Sequence, residues 1–570
     1  MIRDNQSIGS ILVRDGKVSA GDIEAALREQ ETTHERLGEI LTRRGVIVEE
    51  DVVRALCIQY GCGQFDPSRH VVRDEALGAV PAELAHRYGV LPLTLDDDTL
   101  QVAMSDPTDL GARDYLTRLA HRRGVQLDVV FGTSADLDRI RERRFGAMEG
   151  QAQVTRIIDR VIDETRTAAE TSGKASGDES DETAVVELVR KIIDRALIDH
   201  ATDIHIEPYE GKVVVRYRVD GLLADALTLP QAISTGTVSR IKILADMDIA
   251  ERRKAQDGRF SHRGRHRSVD VRVSAVPTIH GEKLVLRLLD RTGFDFTLQD
   301  LGFSAADYEA FQKAIRKPHG LILLSGPTGS GKTTTLYCSL LELRDESTNI
   351  TTVEDPVEYQ VERINQVQVN ARKGVTFANA LRALLRQDPD VIMVGEVRDG
   401  ETADIAVRAA LTGHLVFSTI HANDAPSTVA RLVSMGTDPF MAASALTLVA
   451  AQRLVRRNCR YCLEEYQPEA ETLLALGLTA DGADLGVPFR RGRGCAACRG
   501  RGVEGRLAVI ERMSLDAELR DLIANGRPAA EIRRLALTRG MSTLRDSGLA
   551  KVRDGLTTVE EVLRVCAGDE

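Results

Sequence analysis

Residues 321–337 read LILLSGPTGSGKTTTLY, and this stretch decides the fold of the central part of the chain. The apolar run at 321–324 is typical of a short buried strand. The loop after it, residues 326–333, fills every position of a phosphate-binding pattern that opens a helix. Glycines here let backbone N–H groups turn toward phosphate oxygens at the positive end of that helix. The stretch therefore predicts a nucleotide-binding strand, loop and helix.

Two side chains of this loop have specific predicted roles. Lys332 places a positive charge at the β- and γ-phosphates, and Thr333 ligates the magnesium ion. The other predicted nucleotide-binding residues are Gly326, Pro327, Thr328, Gly329, Ser330, Gly331 and Thr334. ATP and Mg²⁺ are the predicted ligands, and the alternative is a glycine-rich turn that holds no ligand.

Hydrolysis also needs carboxylates, and two acidic positions follow the loop in sequence. Glu396 ends the buried-strand pattern VIMVGE, where it can hold magnesium or orient water. Glu354 lies in the acidic stretch TVEDPVE, and we choose it as the general base, although Glu396 stays open for that role. Taken alone, such an acidic run is more often a solvated loop.

Two histidines stand at the ends of the apolar run LVFSTI. His414 precedes the run and His421 follows it, and either is a candidate sensor of the γ-phosphate. A histidine at a strand end is more often a structural hydrogen-bonding residue, so this alternative also stays open.

Two CxxC pairs lie further along the chain, with 32 residues between them. Their four thiolates, from Cys459, Cys462, Cys495 and Cys498, suit tetrahedral zinc, and we predict a structural, non-catalytic site. The alternatives are a redox pair and unliganded thiols.

Composition limits the class of protein. A chain of 570 residues with 43% apolar and 28% charged residues is expected to form several soluble globular domains. The net charge of −11 indicates no general attraction to DNA or anionic lipid. No stretch approaches the roughly 18 uncharged apolar residues of a membrane span, so we expect a cytoplasmic protein.

Seven segments can be separated along the chain. The first contains an internal repeat at an offset of 29 residues, which predicts two stacked helical hairpins. The predicted segments are a tandem-repeat helical domain at 1–60, a small α/β domain at 61–148, a flexible linker at 149–182, a mixed α/β domain at 183–295, the ATPase domain at 296–450, a tetracysteine insert at 451–510 and a helical domain at 511–570.

Four motifs together resemble the assembly ATPases of type II secretion systems. They are GPTGSGKTTTLY from 326, TTVEDPVEY from 351, LRQDPDVIMVGEVRD from 385 and TGHLVFSTIHAND from 412. The resemblance covers nearly the whole chain. It implies an α/β protein with a RecA-like P-loop NTPase domain, a preceding mixed α/β (PAS-like) domain, helical and α+β N-terminal domains and a tetracysteine zinc insert.

The same resemblance implies a homo-hexameric motor that powers pseudopilus assembly for protein export. Its implied partners are an inner-membrane platform protein and membrane-anchored docking proteins, which would hold it peripherally at the inner membrane. The resemblance also implies that Arg216 and Arg218, in VRYRVDG, reach the γ-phosphate and stabilise the transferred group. Without it, the two arginines could equally form a salt-bridged sheet surface.

The N-terminal repeat resembles a tandem cyclic-di-GMP-binding motif of some secretion and pilus ATPases. The second unit begins Arg36-Leu37-Gly38, but the first begins Ser7-Ile8-Gly9 and lacks the arginine. Cyclic-di-GMP is therefore a candidate ligand, and a purely structural docking domain is the alternative.

Three other functions compete with type II secretion. A type IV pilus extension ATPase shares the motifs, the four cysteines and the domain order. A DNA-uptake motor is disfavoured by the acidic balance, and we expect no direct contact with nucleic acid. A cyclic-di-GMP-responsive scaffold without turnover is disfavoured because all four residues expected for ATP hydrolysis are present, namely Lys332, Thr333, Glu354 and Glu396.

Overall fold

The computed structural model describes residues 7–33, 35–96, 98–106, 108–145, 148, 179–264, 268–290 and 296–566. Most of the predicted linker at 149–182 lies outside these residues. None of the helices in this described part is both long enough and apolar enough to cross a bilayer.

The N-terminal repeat folds into four helices, which are α1 (Ile8–Arg14), α2 (Ala20–Thr33), α3 (Leu37–Arg43) and α4 (Glu49–Tyr60). The helices pack mainly across the two predicted hairpins, α1 against α4 and α2 against α3. Matched residues of the two units, including Ile11 and Ile40, form one buried core. Gly16 and Gly45 end the first helix of each unit in the left-handed conformation, where glycine lacks the steric penalty of a side chain.

A small α/β unit follows. It contains β1 (Gly63–Gln64), α5 (Asp74–Ala79), α6 (Ala82–Arg87), β2 (Val90–Leu95), β3 (Thr99–Met104), α7 (Leu110–Arg122) and β4 (Gln126–Phe131). The strand order is β1-β4-β3-β2, with only β2 antiparallel to its neighbour. Residues 134–145 are helical and pack against this sheet through Leu137 and Ile140.

The mixed α/β unit is a six-stranded antiparallel sheet with helices on one face. Its elements are α8 (Glu179–Ile198), β5 (Asp203–Tyr209), β6 (Lys212–Val219), β7 (Leu222–Pro230), α9 (Gln231–Leu244), β8 (Gln256–Arg263), β9 (Ser268–Thr278) and β10 (Gly281–Asp290). The order is β7-β6-β5-β10-β9-β8. Alternate residues such as Ile204 and Val215 pack under the helices, so the opposite face carries the polar residues.

The ATPase unit is built on a seven-stranded sheet. Its strands are β11 (Gly320–Ser325), β12 (Ile350–Glu354), β13 (Ile364–Gln368), β14 (Val391–Val394), β15 (Leu415–Ile420), β16 (Leu446–Asn458) and, after the cysteine insert, β19 (Val503–Ser514). Its helices are α10 (Ala305–Ile315), α11 (Lys332–Leu343), α12 (Phe377–Leu384), α13 (Gly400–Leu411), α14 (Ala425–Ser434) and α15 (Pro439–Ala445). The order is β13-β12-β14-β15-β11-β16-β19, and only β19 is antiparallel.

The tetracysteine insert interrupts this sheet between β16 and β19. It contains β17 (Leu463–Glu465), α16 (Ala470–Ala475) and β18 (Arg490–Gly492), and four helices follow it: α17 (Ala517–Ala524), α18 (Ala529–Thr538), α19 (Leu544–Arg553) and α20 (Val559–Cys566). The predicted divisions at 450 and 510 fall inside β16 and β19. Both strands pair with each other and extend the ATPase sheet, so the sheet does not end where the prediction placed it.

Candidate functional site

Four predicted site segments meet at one edge of the ATPase sheet. Strands β11, β12, β14 and β15 run parallel, so their carboxyl ends lie together. The phosphate-binding loop follows β11, Glu354 ends β12, Glu396 comes just after β14 and His421 directly follows β15. In open α/β sheets, ligands bind outside the carboxyl ends of the strands.

The phosphate-binding loop has the backbone that its glycines predict. Gly331 caps α11 with a φ of 85°, and Gly326 has a φ of +141°. A Cβ on Gly326 would lie 2.4 Å from the Gln452 carbonyl oxygen, so no other residue fits. Gln452, which the motifs did not reveal, also donates to the Ser330 carbonyl at 2.9 Å. The Ser330 hydroxyl is buried without a partner among the described residues, as expected of a group that serves a ligand.

Lys332 lies inside this loop. Its ammonium group donates to the carbonyls of Gly326 at 2.8 Å and Pro327 at 3.0 Å. Burial lowers the pKa of Lys332 to about 8, although the nearby Glu396 carboxylate acts in the opposite direction. Anionic phosphates would replace the two carbonyls as stronger partners of the ammonium.

Glu354 is almost fully buried, with a relative exposure of 2%. The Tyr337 hydroxyl donates to one carboxylate oxygen at 2.6 Å, and Thr352 donates to the other at 2.6 Å. Burial raises the pKa of Glu354 despite these hydrogen bonds. A raised pKa in a buried carboxyl beside a phosphate-binding loop suits a residue that accepts a proton.

Glu396 lies at the same edge, just after β14, the strand that pairs directly with β12. It forms an ion pair with Arg398, and His421 Nε2 lies 3.6 Å from its other oxygen. Arg398 also approaches Asp355 at 3.7 Å, which links the two acidic segments. Glu396 is thus close to His421, and its charge also acts on Lys332.

His414 is not part of this group. It precedes β15, whose six residues span roughly 20 Å, so it lies at the amino edge of the sheet. Its Nδ1 lies 3.0 Å from the Ala409 carbonyl near the end of α13. The structure therefore favours the structural role for His414 and leaves His421 as the sensor candidate.

Arg216 and Arg218 lie on the polar face of the mixed sheet. Arg216 pairs with Asp225 at 3.1 Å and Glu207 at 3.5 Å, and Arg218 approaches Asp203 at 3.7 Å. These partners belong to the same sheet, which is the salt-bridged arrangement foreseen as the alternative role. Neither arginine has a contact with the phosphate-binding loop among the described ion pairs and hydrogen bonds.

Other arginines of this face do approach the ATPase unit. Arg259 and Arg272 line a cavity of about 490 Å³ whose opposite wall includes Pro356, Val357 and Glu358, which begin two residues after Glu354. The strand register places Arg259, Arg272 and Arg287 side by side on β8, β9 and β10. In the sequence, these arginines alternate with apolar residues along their strands, which indicates that they lie on the polar face. Only the pairing of the strands shows that they form a row.

The four predicted cysteines converge. Their sulfur atoms all lie within 4.8 Å of one another, and the pairs 459–495, 462–498 and 495–498 are separated by 3.8, 3.9 and 3.7 Å. Tetrahedral zinc with Zn–S bonds of about 2.3 Å requires sulfur separations near 3.8 Å, so the donor set fits this metal. The backbone N–H groups of Cys495 and Gly502 donate to Cys498 Sγ, as is expected of a thiolate.

The second cysteine turn, residues 495–502, contacts two other units, and we call it the cysteine knuckle. Ala497 is buried in the core of the small α/β unit, and its carbonyl accepts from Arg143 at 3.1 Å. Arg501 pairs with Asp220 of the mixed unit at 3.3 Å. Glu504, just beyond the knuckle, pairs with Arg143 and Arg139. The knuckle thus joins three units.

The N-terminal repeat also contacts its neighbour. Arg36, which begins the second unit, pairs with Asp106 of the small α/β unit at 2.7 Å. Ser7, at the corresponding position of the first unit, caps α1 instead. The two units therefore differ at the position where the resemblance places the ligand-contacting arginine.

Comparison with known proteins gives two matching family models. The model described as "Type II/IV secretion system protein" matches residues 178–564, and the MshEN domain model matches residues 60–151. The MshEN match covers the small α/β unit and not the helical repeat.

Relatives come from two kinds of machine. The chain is 40% identical over 565 residues to "Type IV pilus assembly ATPase PilB" of Myxococcus xanthus, covering 99% of both chains. It is 49% identical over 390 residues to "Type II secretion system protein E" of Pseudomonas aeruginosa, covering 68% of this chain and 76% of that protein. Against the PilB of Thermus thermophilus the identity is 41%, and the match spans 93% of this chain but 59% of that protein.

Among solved structures, the chain resembles the ATPase DotB of Legionella pneumophila. The TM-score is 0.50 at 23% identity, over 66% of this chain and 95% of that one. This likeness supports the fold of the ATPase part.

Proposed function

The chain is an ATPase of the Type II/IV secretion system protein family, and we propose that it is the hexameric motor that drives pseudopilus assembly in a type II secretion system. The family predicted from the four motifs is thereby confirmed. The observation that carries the proposal is the convergence of Lys332, Glu354 and Glu396 at the carboxyl edge of one sheet.

The site residues have distinct roles in this proposal. Lys332 and the loop N–H groups bind and neutralise the β- and γ-phosphates of ATP. Glu354 accepts a proton from the attacking water. Thr333 and Glu396 would hold Mg²⁺, which neutralises phosphate charge when it is bound. His421, beside Glu396, is placed to report the presence of the γ-phosphate.

The row of Arg259, Arg272 and Arg287 is proposed to complete the nucleotide site when the mixed α/β unit closes onto the ATPase unit. We call the space between these two units the cleft. Like charges directly opposite one another on neighbouring strands are unfavourable, so such a row indicates an anionic partner. The Asp203 carboxylate lies next in the row and pairs with Arg287, which leaves Arg259 and Arg272 facing the cavity. These two arginines, more than Arg216 and Arg218, are placed to meet the triphosphate.

The remaining ligands and partners are proposed from the chain's membership of this family. We propose zinc at the four cysteines, cyclic-di-GMP as a ligand of the N-terminal region, and platform and docking proteins at the inner membrane as partners. The MshEN match and the pairing of Arg36 with Asp106 support a ligand site that spans the repeat and the small α/β unit.

A type IV pilus extension motor is the second candidate. The full-length match to the Myxococcus xanthus PilB, with 99% coverage of both chains, favours it. Deletion of the gene in its host separates the two: loss of secreted proteins with intact pili supports secretion, and loss of surface pili alone supports the pilus motor.

ATP hydrolysis by wild type, Lys332→Ala and Glu354→Gln tests the motor itself. Both variants are expected to lose turnover. Glu354→Gln should still bind nucleotide, because glutamine has nearly the same size as glutamate and the phosphate-binding loop is unchanged. Oligomeric state is followed by light scattering, with and without cyclic-di-GMP. A wild-type hexamer that binds nucleotide but does not turn over, even with its platform partner, would overturn the proposal.

A further inference from the structure

The Glu354 carboxylate is surrounded by hydrogen-bond donors from its own unit. Tyr337 of α11 donates to Oε2 at 2.6 Å, and Thr352 of β12 donates to Oε1 at 2.6 Å. Gln366 of β13 donates to Oε1 at 3.2 Å and to the Tyr337 hydroxyl at 3.1 Å. Both oxygens therefore have donors within the protein, and a group with 2% exposure has little access to water.

The same two side chains also hold the backbone that follows Glu354. We call residues 355–361 the cleft loop. The Tyr359 carbonyl accepts from Gln366 at 2.9 Å, and the Tyr337 hydroxyl oxygen, whose proton is directed to Glu354, lies 3.3 Å from it. Gln366 accepts from the Val361 N–H at 2.9 Å, and the rings of Tyr337 and Tyr359 pack edge to face. Tyr337 and Gln366 therefore connect the cleft loop directly to the carboxylate.

The outer side of the cleft loop faces the mixed sheet. Pro356, Val357 and Glu358 form one wall of the 490 Å³ cavity, and Arg259 and Arg272 lie on the other. Any closure of the mixed unit onto bound nucleotide must press on this loop. Among the described hydrogen bonds, those of Tyr337 and Gln366 connect this loop to the Glu354 carboxylate.

We propose that Tyr337 and Gln366 are positioning residues that couple the cleft loop to Glu354 and orient its carboxylate toward the attacking water when the cleft closes. The inference rests on the proposed function, in which Glu354 is the base. On closure, Glu354 takes one proton from water, the water oxygen bonds to the γ-phosphorus, and the bond to the β-phosphate oxygen breaks to release ADP.

This coupling has a signature in pH as well as in rate. The hydrogen bond from Tyr337 lowers the pKa of Glu354, whereas burial and the Glu358 charge raise it. Removal of the Tyr337 hydroxyl should therefore raise the pKa of Glu354, so that its carboxyl stays protonated to a higher pH. In a plot of kcat against pH, the acid limb should move to higher pH.

The test uses the full-length hexamer and the variants Tyr337→Phe, Gln366→Leu and Ser339→Ala. Ser339 is a matched control because its buried hydroxyl lies on the same helix and, among the described residues, donates to the Thr335 carbonyl rather than to Glu354 or the cleft loop. We expect kcat to fall by about 10- to 100-fold in the first two variants, with KM within about twofold of wild type. Ser339→Ala should keep wild-type turnover.

Three outcomes decide the matter. Wild-type kcat and an unmoved acid limb in both Tyr337→Phe and Gln366→Leu would overturn the coupling. Should Tyr337→Phe not fold, the half-buried Gln366 still provides the test. Glu354→Gln tests the base assignment separately from the coupling. If this variant retains turnover, Glu354 is not the base. If it is inactive while Tyr337→Phe and Gln366→Leu are normal, only the coupling fails.

Discussion

Replacement of Glu504 by arginine should release the small α/β unit from the cysteine knuckle. Glu504 accepts from Arg143 at 3.1 Å and from Arg139 at 3.4 Å. The three side chains are 17–27% exposed, so these pairs are intermediate between surface and buried ion pairs. The substitution turns two attractions into two repulsions across the contact.

The magnitude follows from this geometry. Exposed pairs contribute about 0–1 kcal/mol, and disruption of a buried pair costs about 3–5 kcal/mol. A loss of about 2–4 kcal/mol is therefore expected, which is roughly a 30- to 1,000-fold shift in the docking equilibrium, since every 1.4 kcal/mol is tenfold. The Tyr461 hydroxyl, which donates to Asp136 in the same contact, should lose its partner as the units separate.

Hydrogen exchange of the full-length protein measures this release. Amides of residues 136–145 should lose protection in Glu504→Arg and regain it in the double variant Arg143→Glu/Glu504→Arg. Glu464→Arg is the control, since Glu464 pairs with Arg491 at 2.9 Å on the β17–β18 hairpin of the same insert. Unchanged protection in Glu504→Arg would refute the reasoning, as would equal losses in Glu464→Arg.

Three further predictions concern other parts of the site. Because burial lowers the pKa of Lys332 to about 8 while bound phosphates favour the charged ammonium, ATP affinity should fall above pH 8 by up to about tenfold per pH unit. Lys332→Arg should remove this dependence in calorimetric titrations. His421→Ala should reduce turnover, whereas His414→Ala should keep turnover and lose about 1 kcal/mol of stability in thermal unfolding. Cys459→Ser should lower the zinc content measured by atomic emission and the unfolding temperature, because structural metal binding stabilises the folded state.

Much of the fold was predictable because local patterns encode it. The strand, glycine loop and helix at 320–343 follow from patterns within a few residues, and so does the helical character of the repeat, whereas the packing of α1 on α4 joins its two units. Parallel strands place the residues after each carboxyl end together, and Glu354, Glu396 and His421 can each be singled out from the sequence beside an apolar run. The cysteine cluster followed from ligand spacing.

The roles of His414, Arg216 and Arg218 were harder to predict. A sequence motif does not state at which end of a strand a side chain meets a ligand, and His414 lies at the end away from the phosphate-binding loop. Arg216 and Arg218 have partners in their own sheet, which strand pairing alone determines. The division at 450 failed for the same reason, since β16 continues a sheet whose next strand begins at Val503.

The sequence by itself determined the nucleotide loop, the cysteine pairs and the family, because each depends on residue types at short, fixed spacings. Only the tertiary structure decided which arginines face the cleft, how Tyr337 and Gln366 hold Glu354, and where the N-terminal region docks. These features join segments that are distant in the chain, such as Arg143 and Glu504 at a separation of 361 positions. Their contacts depend on packing of whole units, for which no local pattern in the sequence carries a signal.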